Sequence, residues 1–280
     1  MMLRPLFAAL ALLVAGCMSA ASGKPAQGAD FSLESSVEAA GVDPVRAALV
    51  VTRLEDGRTW TSGGDRIDQR FVAASTSKIP HTLIAIETGA VSGPDEWFEW
   101  DGQKRFLPAW NRSQTLADAF RNSTVWIYQI ITPRIGSVAL HDWLARFGYG
   151  NADTGGPDAV TTYWLKGPLQ ISAAEQAAFL TRLVQRELPL SERTYDLAIP
   201  VMLADEGETW RLYAKSGWYS SDSDQDIGWY VGWLEQPGGA APGTYVFAFN
   251  MDVDTPETDI LKRPAAVRQA LADIGALAGR

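Results

Sequence analysis

Residues 71–90 read Phe71-Val-Ala-Ala-Ser-Thr-Ser-Lys-Ile-Pro-His-Thr-Leu-Ile-Ala-Ile-Glu-Thr-Gly-Ala90, and an apolar run in them passes into a helical pattern. Ser75 and Lys78 stand three apart at this junction, so a helix would place hydroxyl and amine on one face. A serine hydroxyl needs a neighbouring base, and a lysine amine serves as one only when burial lowers its pKa. The small and apolar neighbours of Lys78 favour such burial. We interpret the pair as a nucleophile and its base. Because S-x-x-K also arises by chance, the pair alone favours the alternative, a polar helix start with a solvated lysine.

The composition is that of a globular protein, with 46% hydrophobic and 20% charged residues among 280. This length suits one large domain or two closely packed lobes. The net charge is −9 and no run of Lys or Arg occurs, which argues against nucleic acid as a partner. His81 and His141 are the only histidines and are not at ligand spacing, so we expect no metal site. No serine lies in a G-x-S-x-G elbow, which argues against a Ser-His-Asp triad.

The first twenty residues have the features of an export signal. The apolar run over 6–15 is too short for a good transmembrane helix. It closes with Val14-Ala-Gly-Cys17, which resembles a bacterial lipoprotein signal in which the cysteine is lipidated; the alternative is cleavage near Ala20. In either case we expect an exported, periplasmic protein without a disulfide, because Cys17 is the only cysteine. The predicted domains are a signal peptide over 1–20, a tether over 21–30 and one folded domain over 31–280.

The predicted elements place strands at both ends of the folded part and helices between them. Residues 46–62 favour a hairpin around Asp56-Gly57, and 236–243 form a second turn cluster. We therefore predict an α/β (α+β) sandwich, with an antiparallel central sheet from N- and C-terminal segments, flanking helices and a mostly helical insertion. Residues 91–114 and 149–168 are predicted loops. Strands are predicted at 47–54, 58–62, 210–216, 228–235 and 244–252. Helices are predicted from the Ser75 segment to a stop near Gly89, at 116–120, 124–131, 137–147 and 172–185, and from Pro264.

Three further polar motifs follow the Ser75 segment. Ser123-Thr-Val125 lies at a break between two helical patterns, where the serine could face a cleft or cap the next helix. Tyr149-Gly-Asn151 has the composition of a turn. Lys215-Ser-Gly217 ends an alternating strand, and its glycine would let the backbone approach a ligand. A cation and a hydroxyl there suit a substrate carboxylate; the alternative is a solvated edge lysine that blocks strand addition.

The order of these motifs along the chain resembles the class D, or oxacillinase-type, serine β-lactamases. Members of that family carry the motifs S-x-x-K, S-x-V, Y-G-N and K-[ST]-G in this order along the chain. The resemblance implies a β-lactamase/transpeptidase-like fold and hydrolysis of penicillins and related antibiotics. It extends through nearly all of the mature chain, at 74–80, 87–89, 100–102, 123–129, 147–151, 164–165, 171–172, 215–217, 229–233 and 247–252.

The resemblance also implies a mechanism through an acyl-enzyme. Ser75 would open the β-lactam ring, and Lys78 would be an N6-carboxylysine, formed with CO2 or bicarbonate, that acts as general base. It implies no metal and no other cofactor. Around this carbamate, the resemblance implies a hydrogen bond from Trp164 and apolar walls from Val125 and Leu165. It implies a proton relay through Ser123 and Lys215 and an oxyanion hole formed by the backbone N–H groups of Ser75 and Trp218. The implied substrate contacts are those of Ser216, Gly217 and Arg263.

Two positions depart from the family pattern or leave a choice. The family more often carries Lys-Thr-Gly, where this chain has Ser216 and keeps the hydroxyl. Arg263 aligns best with the carboxylate-binding arginine, although Lys262 is adjacent. Two other functions stay open: a penicillin-binding sensor domain that is acylated without turnover, usually attached to several transmembrane helices, and a tethered inactive relative. A monomer and a homodimer are both compatible with the sequence.

Overall fold

The computed structural model describes residues 32–239 and 241–277. The predicted signal peptide at 1–20, Cys17 and the tether at 21–30 lie outside the described residues. Among the described residues, no helix combines the length and apolar character needed to cross a bilayer.

The described residues form ten strands and eight α-helices, joined in places by short 3-10 turns. The strands are β1 (Ala47–Arg53), β2 (Thr59–Ser62), β3 (Phe71–Val72), β4 (Trp97–Phe98), β5 (Gln114–Thr115), β6 (Gln170–Ile171), β7 (Leu203–Glu206), β8 (Arg211–Tyr219), β9 (Asp226–Gln236) and β10 (Gly243–Val253). The helices are α1 (Glu34–Ala39), α2 (Lys78–Glu87), α3 (Leu116–Arg121), α4 (Val125–Ile135), α5 (Ser137–Phe147), α6 (Ala173–Val184), α7 (Glu192–Ala198) and α8 (Pro256–Asp273).

Six antiparallel strands build the central sheet in the order β2-β1-β10-β9-β8-β7. The N-terminal hairpin therefore pairs with the C-terminal strand, with Ala47 opposite Met251. This arrangement, with helices between the two strand groups, confirms the predicted fold class. The short pairs β3–β6 and β4–β5 lie outside this sheet.

The sheet is buried on both faces, and the alternation along β1 shows which residues face which layer. Leu49 and Val51 pack with the apolar side chains of α1 and α8. Ala48 and Val50 belong to the larger core that contains α2 and the other helices. Successive strand residues point to opposite faces, so a strand covered on both sides is apolar throughout.

Helix α2 lies in the middle of the larger core. Every residue from Lys78 to Ile86 is buried, and a helix that is buried on every side belongs to the core and not to the surface. Its backbone continues to Thr88, and Gly89 follows with a φ of 70°. The position of this helix in the core is what removes the Lys78 side chain from water.

The last helix begins earlier than the sequence pattern indicated. It starts at Pro256 instead of Pro264. Proline suits a first helical turn, and the Asp259 carboxylate stabilises this turn because it accepts hydrogen bonds from the N–H groups of Asp254 and Thr255, each at 2.9 Å. Pro264 lies inside the helix, which continues because its apolar face packs on the sheet. The helices α1 and α7 and the strand β7 were not predicted, since each is short and mostly polar.

Candidate active site

Ser75 and Lys78 meet at the start of α2. Ser75 lies in a 3-10 turn, Ala74–Ser77, that runs directly into the helix. Two hydroxyls tie this turn to the preceding backbone: Thr76 Oγ1 donates to Ala73 O and Ser77 Oγ to Ala74 O, each at 2.6 Å. Lys78 Nζ donates to Ser75 Oγ at 2.9 Å. The structure thus brings the hydroxyl and the amine into direct contact.

The Lys78 amine is fully buried, so the solvated lysine considered above does not hold. Burial, together with the charge of Lys215, lowers the pKa of Lys78 well below its usual value. Its nitrogen lies 5.1 Å from the centre of the Tyr128 ring. No carboxylate in the described part of the chain forms an ion pair with it. Burial of this kind favours the neutral amine over the charged ammonium.

Trp164 lies on the loop between α5 and β6 and packs against α2 at His81. Its indole packs edge-to-face on His81, with ring centres 5.0 Å apart, and His81 is three residues along α2 from Lys78. Trp164 is fully buried, and its Nε1 has no hydrogen-bond partner among the described residues. A buried N–H without an acceptor is uncommon and costly, so this group can donate to an acceptor that enters the site.

Ser123 and Lys215 form a second pair of hydroxyl and amine. Lys215 Nζ donates to Ser123 Oγ at 3.1 Å and to Ser216 O at 2.9 Å. Lys215 is 4% exposed, and burial, with the charge of Arg263, lowers its pKa to about 7. Thr124, not Ser123, is the N-cap residue of α4. Ser123 therefore does not cap α4, and Lys215 is not a solvated lysine at the edge of the sheet.

The end of β8 faces the Ser75 turn. Residues 215–217 pair with β9 on one side, whereas β7 pairs only as far as Tyr213 on the other. An added Cβ on Gly217 would lie 3.2 Å from Thr76 Cγ2 and 3.3 Å from Thr76 N. These contacts are tighter than ordinary packing, so glycine is what permits the strand to lie this close to the turn.

A cleft of about 470 Å3 opens between these elements. Its polar groups are the hydroxyls of three serines and the Arg263 guanidinium, together with Glu257, and most of its other walls are apolar. Phe106, which is 81% exposed, and Leu107 stand at its rim; the sequence reasoning missed this apolar pair in a polar loop. A larger open groove of about 770 Å3 near Arg53 and Trp210 is rich in charged residues and contains none of the predicted site residues. The cleft is lined by Ser75, Phe106, Leu107, Trp110, Ser123, Val125, Leu165, Ser216, Gly217, Trp218, Pro256, Glu257, Ile260 and Arg263.

Arg263, and not Lys262, reaches this cleft. Arg263 lies inside α8, is 8% exposed, and donates to Ile260 O at 2.9 Å and also to Gly217 O. Burial lowers its pKa to about 10, so it stays cationic at neutral pH. Lys262 points away and pairs with Asp259 Oδ1 at 2.8 Å. Of the two residues, only Arg263 is among those that line the cleft.

The Tyr149-Gly-Asn151 motif closes the loop that carries Trp164. Asn151 Nδ2 donates to Pro168 O at 2.8 Å, and its Oδ1 accepts the Gln170 N–H at 3.0 Å. Gly150 has a φ of 57°, and an added Cβ would lie 2.1 Å from Gln170 O. The motif is more than a turn, because it joins the two ends of the loop and fixes where Trp164 packs.

Neither histidine takes part in a cluster of metal ligands. His81 Nε2 lies 2.5 Å from the Tyr163 hydroxyl, and His141 Nδ1 lies 2.9 Å from Ala152 O. Over residues 32–239 and 241–277, no three His, Cys, Asp or Glu side chains stand together as a metal site would require.

Comparison with known proteins gives one consistent family. Residues 48–272, which include all four motifs, match the penicillin binding protein transpeptidase domain. Beta-lactamase OXA-3 of Pseudomonas aeruginosa is 42% identical over 212 residues, covering 76% of this chain and 73% of the relative. The structure of the class D β-lactamase YbXI from Nostoc is 35% identical, with a TM-score of 0.82 over 88% of this chain and 99% of that one. That of FUS-1 (OXA-85), a class D β-lactamase from Fusobacterium nucleatum subsp. polymorphum, is 30% identical, with a TM-score of 0.80 over 88% and 98%. The resemblance inferred from the order of the motifs is confirmed, and the chain belongs to the class D β-lactamases.

Proposed function

We propose that this enzyme hydrolyses β-lactam antibiotics through an acyl-enzyme on Ser75, with carboxylated Lys78 as general base. The observation that carries the proposal is the contact of Ser75 Oγ with a fully buried, unpaired amine beside a cleft that also holds an arginine. The named β-lactamases among its relatives support the substrate class.

Lys78 fits the carboxyl group that the family implies. Only a neutral amine adds CO2, and burial lowers the pKa of Lys78, which favours the neutral form. The unpartnered Nε1 of Trp164 provides a donor for the added oxygen atoms, and the Ser75 hydroxyl provides a second. When present, the carboxyl group supplies an anionic oxygen that can accept a proton from Ser75 and later from water.

The protein's own groups would then act in sequence on the bound substrate. Ser75 Oγ loses its proton and attacks the carbonyl carbon, and the backbone N–H groups of Ser75 and Trp218 stabilise the oxyanion, typically by about 3–4 kcal/mol per donor. The ring C–N bond breaks, and its nitrogen takes a proton through Ser123 from Lys215. A pKa of about 7 for Lys215 suits this relay, because the group can give and regain a proton at neutral pH.

Substrate binding is assigned to the end of β8 and to α8. Arg263 and the Ser216 hydroxyl would hold the substrate carboxylate, since a guanidinium forms strong charge-assisted hydrogen bonds with carboxylates. Gly217 lets the strand that carries Ser216 lie close to the Ser75 turn. Val125 and Leu165 supply apolar walls near Ser75.

The test is the hydrolysis of a chromogenic cephalosporin with and without added bicarbonate. We expect steady turnover that bicarbonate enhances and that Lys78→Ala abolishes. Lys104→Ala, which removes an exposed lysine, is the control and should keep the wild-type rate. A single acylation burst without turnover would favour the penicillin-binding sensor. No reaction in folded protein would leave only the inactive relative.

A further inference from the structure

One buried side chain, Gln114, holds both neighbours of Ser123. Gln114 is fully buried, and its Oε1 accepts hydrogen bonds from Asn122 Nδ2 at 3.0 Å and from Thr124 Oγ1 at 2.9 Å. The residues before and after Ser123 are thus attached to a single oxygen atom. The conformation of Ser123 therefore depends on where this amide lies.

The other end of the same amide is attached to the cleft wall. Gln114 Nε2 donates to Ala109 O at 3.1 Å and to Arg112 O at 3.3 Å. These carbonyls flank Trp110, which lines the cleft and donates through Nε1 to Asn122 O at 2.9 Å. An amide offers two donor hydrogens and two acceptor positions, and all four are used here.

Ser123 needs such support because its backbone is strained. Its φ is 57°, in the left-handed region that residues other than glycine rarely adopt. Such a conformation persists only where the surrounding structure over-determines it. Backbone hydrogen bonds from Ser123 N to Phe120 O at 3.1 Å and from Thr124 N to Ala119 O at 2.8 Å hold this segment to α3. Gln114 adds the side-chain bonds that hold both neighbours of Ser123. The contact of 3.1 Å between Ser123 Oγ and Lys215 Nζ depends on this geometry.

We propose that Gln114 is a positioning residue that holds the Ser123 hydroxyl within hydrogen-bonding distance of Lys215. It also connects this pair to the cleft wall at Trp110. The inference rests on the proposed function, in which Ser123 and Lys215 deliver the proton to the leaving nitrogen. Gln114 touches neither the substrate nor the reacting atoms, so it acts through Ser123. Its loss should lower kcat much more than it changes KM, because misplacement of a reacting group by about 1 Å can cost about 100-fold.

The test is a double-mutant cycle of Gln114→Met and Ser123→Ala. Methionine has a similar length but forms none of the four hydrogen bonds. With a chromogenic cephalosporin and saturating bicarbonate, Gln114→Met should lower kcat by about 10-fold to 100-fold, with KM within about threefold of wild type. In the Ser123→Ala background the same change should lower kcat by less than about twofold, because the group that Gln114 positions is gone.

Two further variants complete the design. Gln236→Met, the same change at a glutamine that is 6% exposed on β9 and outside the cleft, should keep the wild-type kcat. Thr124→Val removes one of the four bonds while keeping the side-chain shape, and should lower kcat in the same direction by a smaller factor; it decides the question if Gln114→Met does not fold. A wild-type kcat in Gln114→Met, or an equal loss in both backgrounds, would overturn the role of Gln114 alone. Absence of turnover by the wild-type enzyme would overturn the proposed function and this role with it.

Discussion

Replacing Trp164 by phenylalanine is expected to weaken the affinity of the enzyme for bicarbonate. The change keeps an aromatic ring against His81 and removes only the Nε1 donor and part of the indole. That donor has no partner among the described residues. In the proposed mechanism it acquires one, an anionic oxygen, only when Lys78 carries the added carboxyl group.

The size of the effect follows from this hydrogen bond. A hydrogen bond to a charged group contributes about 1.5–3 kcal/mol, and 1.4 kcal/mol corresponds to a factor of ten. The apparent dissociation constant for bicarbonate should therefore rise by about 10-fold to 140-fold. Without bicarbonate the unpaired N–H costs about 1–3 kcal/mol. Its removal offsets much of the cost of the void left by the smaller ring, so the melting temperature should change by a few degrees at most.

The assay is steady-state hydrolysis titrated with bicarbonate, together with the 13C NMR signal of the carbamate in protein equilibrated with labelled bicarbonate. Trp233→Phe is the matched control: that indole is 1% exposed, but its Nε1 already donates to Glu235 at 3.3 Å. The control should keep the wild-type bicarbonate affinity. An unchanged affinity in folded Trp164→Phe would show that this N–H does not hold the carboxyl group.

Two further predictions concern the cations of the cleft. The pKa of Lys215 is lowered from 10.5 to about 7 in the folded protein. Below pH 7 the lysine is protonated in both the folded and the unfolded protein, and the buried ammonium destabilises the fold. Between pH 7 and 10.5 the unfolded protein binds more protons, so stability rises with pH. Lys215→Met should raise the melting temperature at pH 6 by about 2–10 °C. It should also reduce the increase of stability between pH 7 and 10.5, and it should abolish turnover. A lower melting temperature at pH 6, measured by calorimetry, would contradict the assigned burial cost. Arg263→Ala should lower kcat/KM by about 10-fold to 140-fold, whereas Lys262→Ala stays within about twofold. The Arg263 loss should disappear with a substrate whose carboxylate is esterified, and an equal loss with the ester would exclude carboxylate binding.

The fold class could be predicted from the sequence because its strongest local signals agree with the tertiary structure. The Asp56-Gly57 turn, the apolar periodicity after Lys78 and the turn cluster before β10 each act over a few residues. The start of α8 could not be predicted this way, because its first turn is stabilised by a carboxylate that accepts two preceding N–H groups. Proline at 264 was a strong local signal, and packing of the helix on the sheet overrides it.

The contacts of the candidate site also differ in how far the sequence predicts them. The Ser75 and Lys78 pair is encoded by spacing along one segment, so the sequence shows that the two side chains can meet, and the other motifs in their order favour that contact. The contact of Ser123 with Lys215 joins residues far apart in the chain, and only the resemblance indicated it. Gln114 left no signal at all, since a glutamine in a polar loop has no periodicity and its importance comes from four partners that the fold assembles.

The pairing of β1 with β10 has a consequence for how the enzyme is made. These strands are neighbours in space but lie about two hundred residues apart in the sequence. Until β10 has been synthesised, β1 lacks its main partner and the centre of the sheet cannot close. The sheet therefore closes only after residues 243–253, which pair with both β1 and β9, have been synthesised.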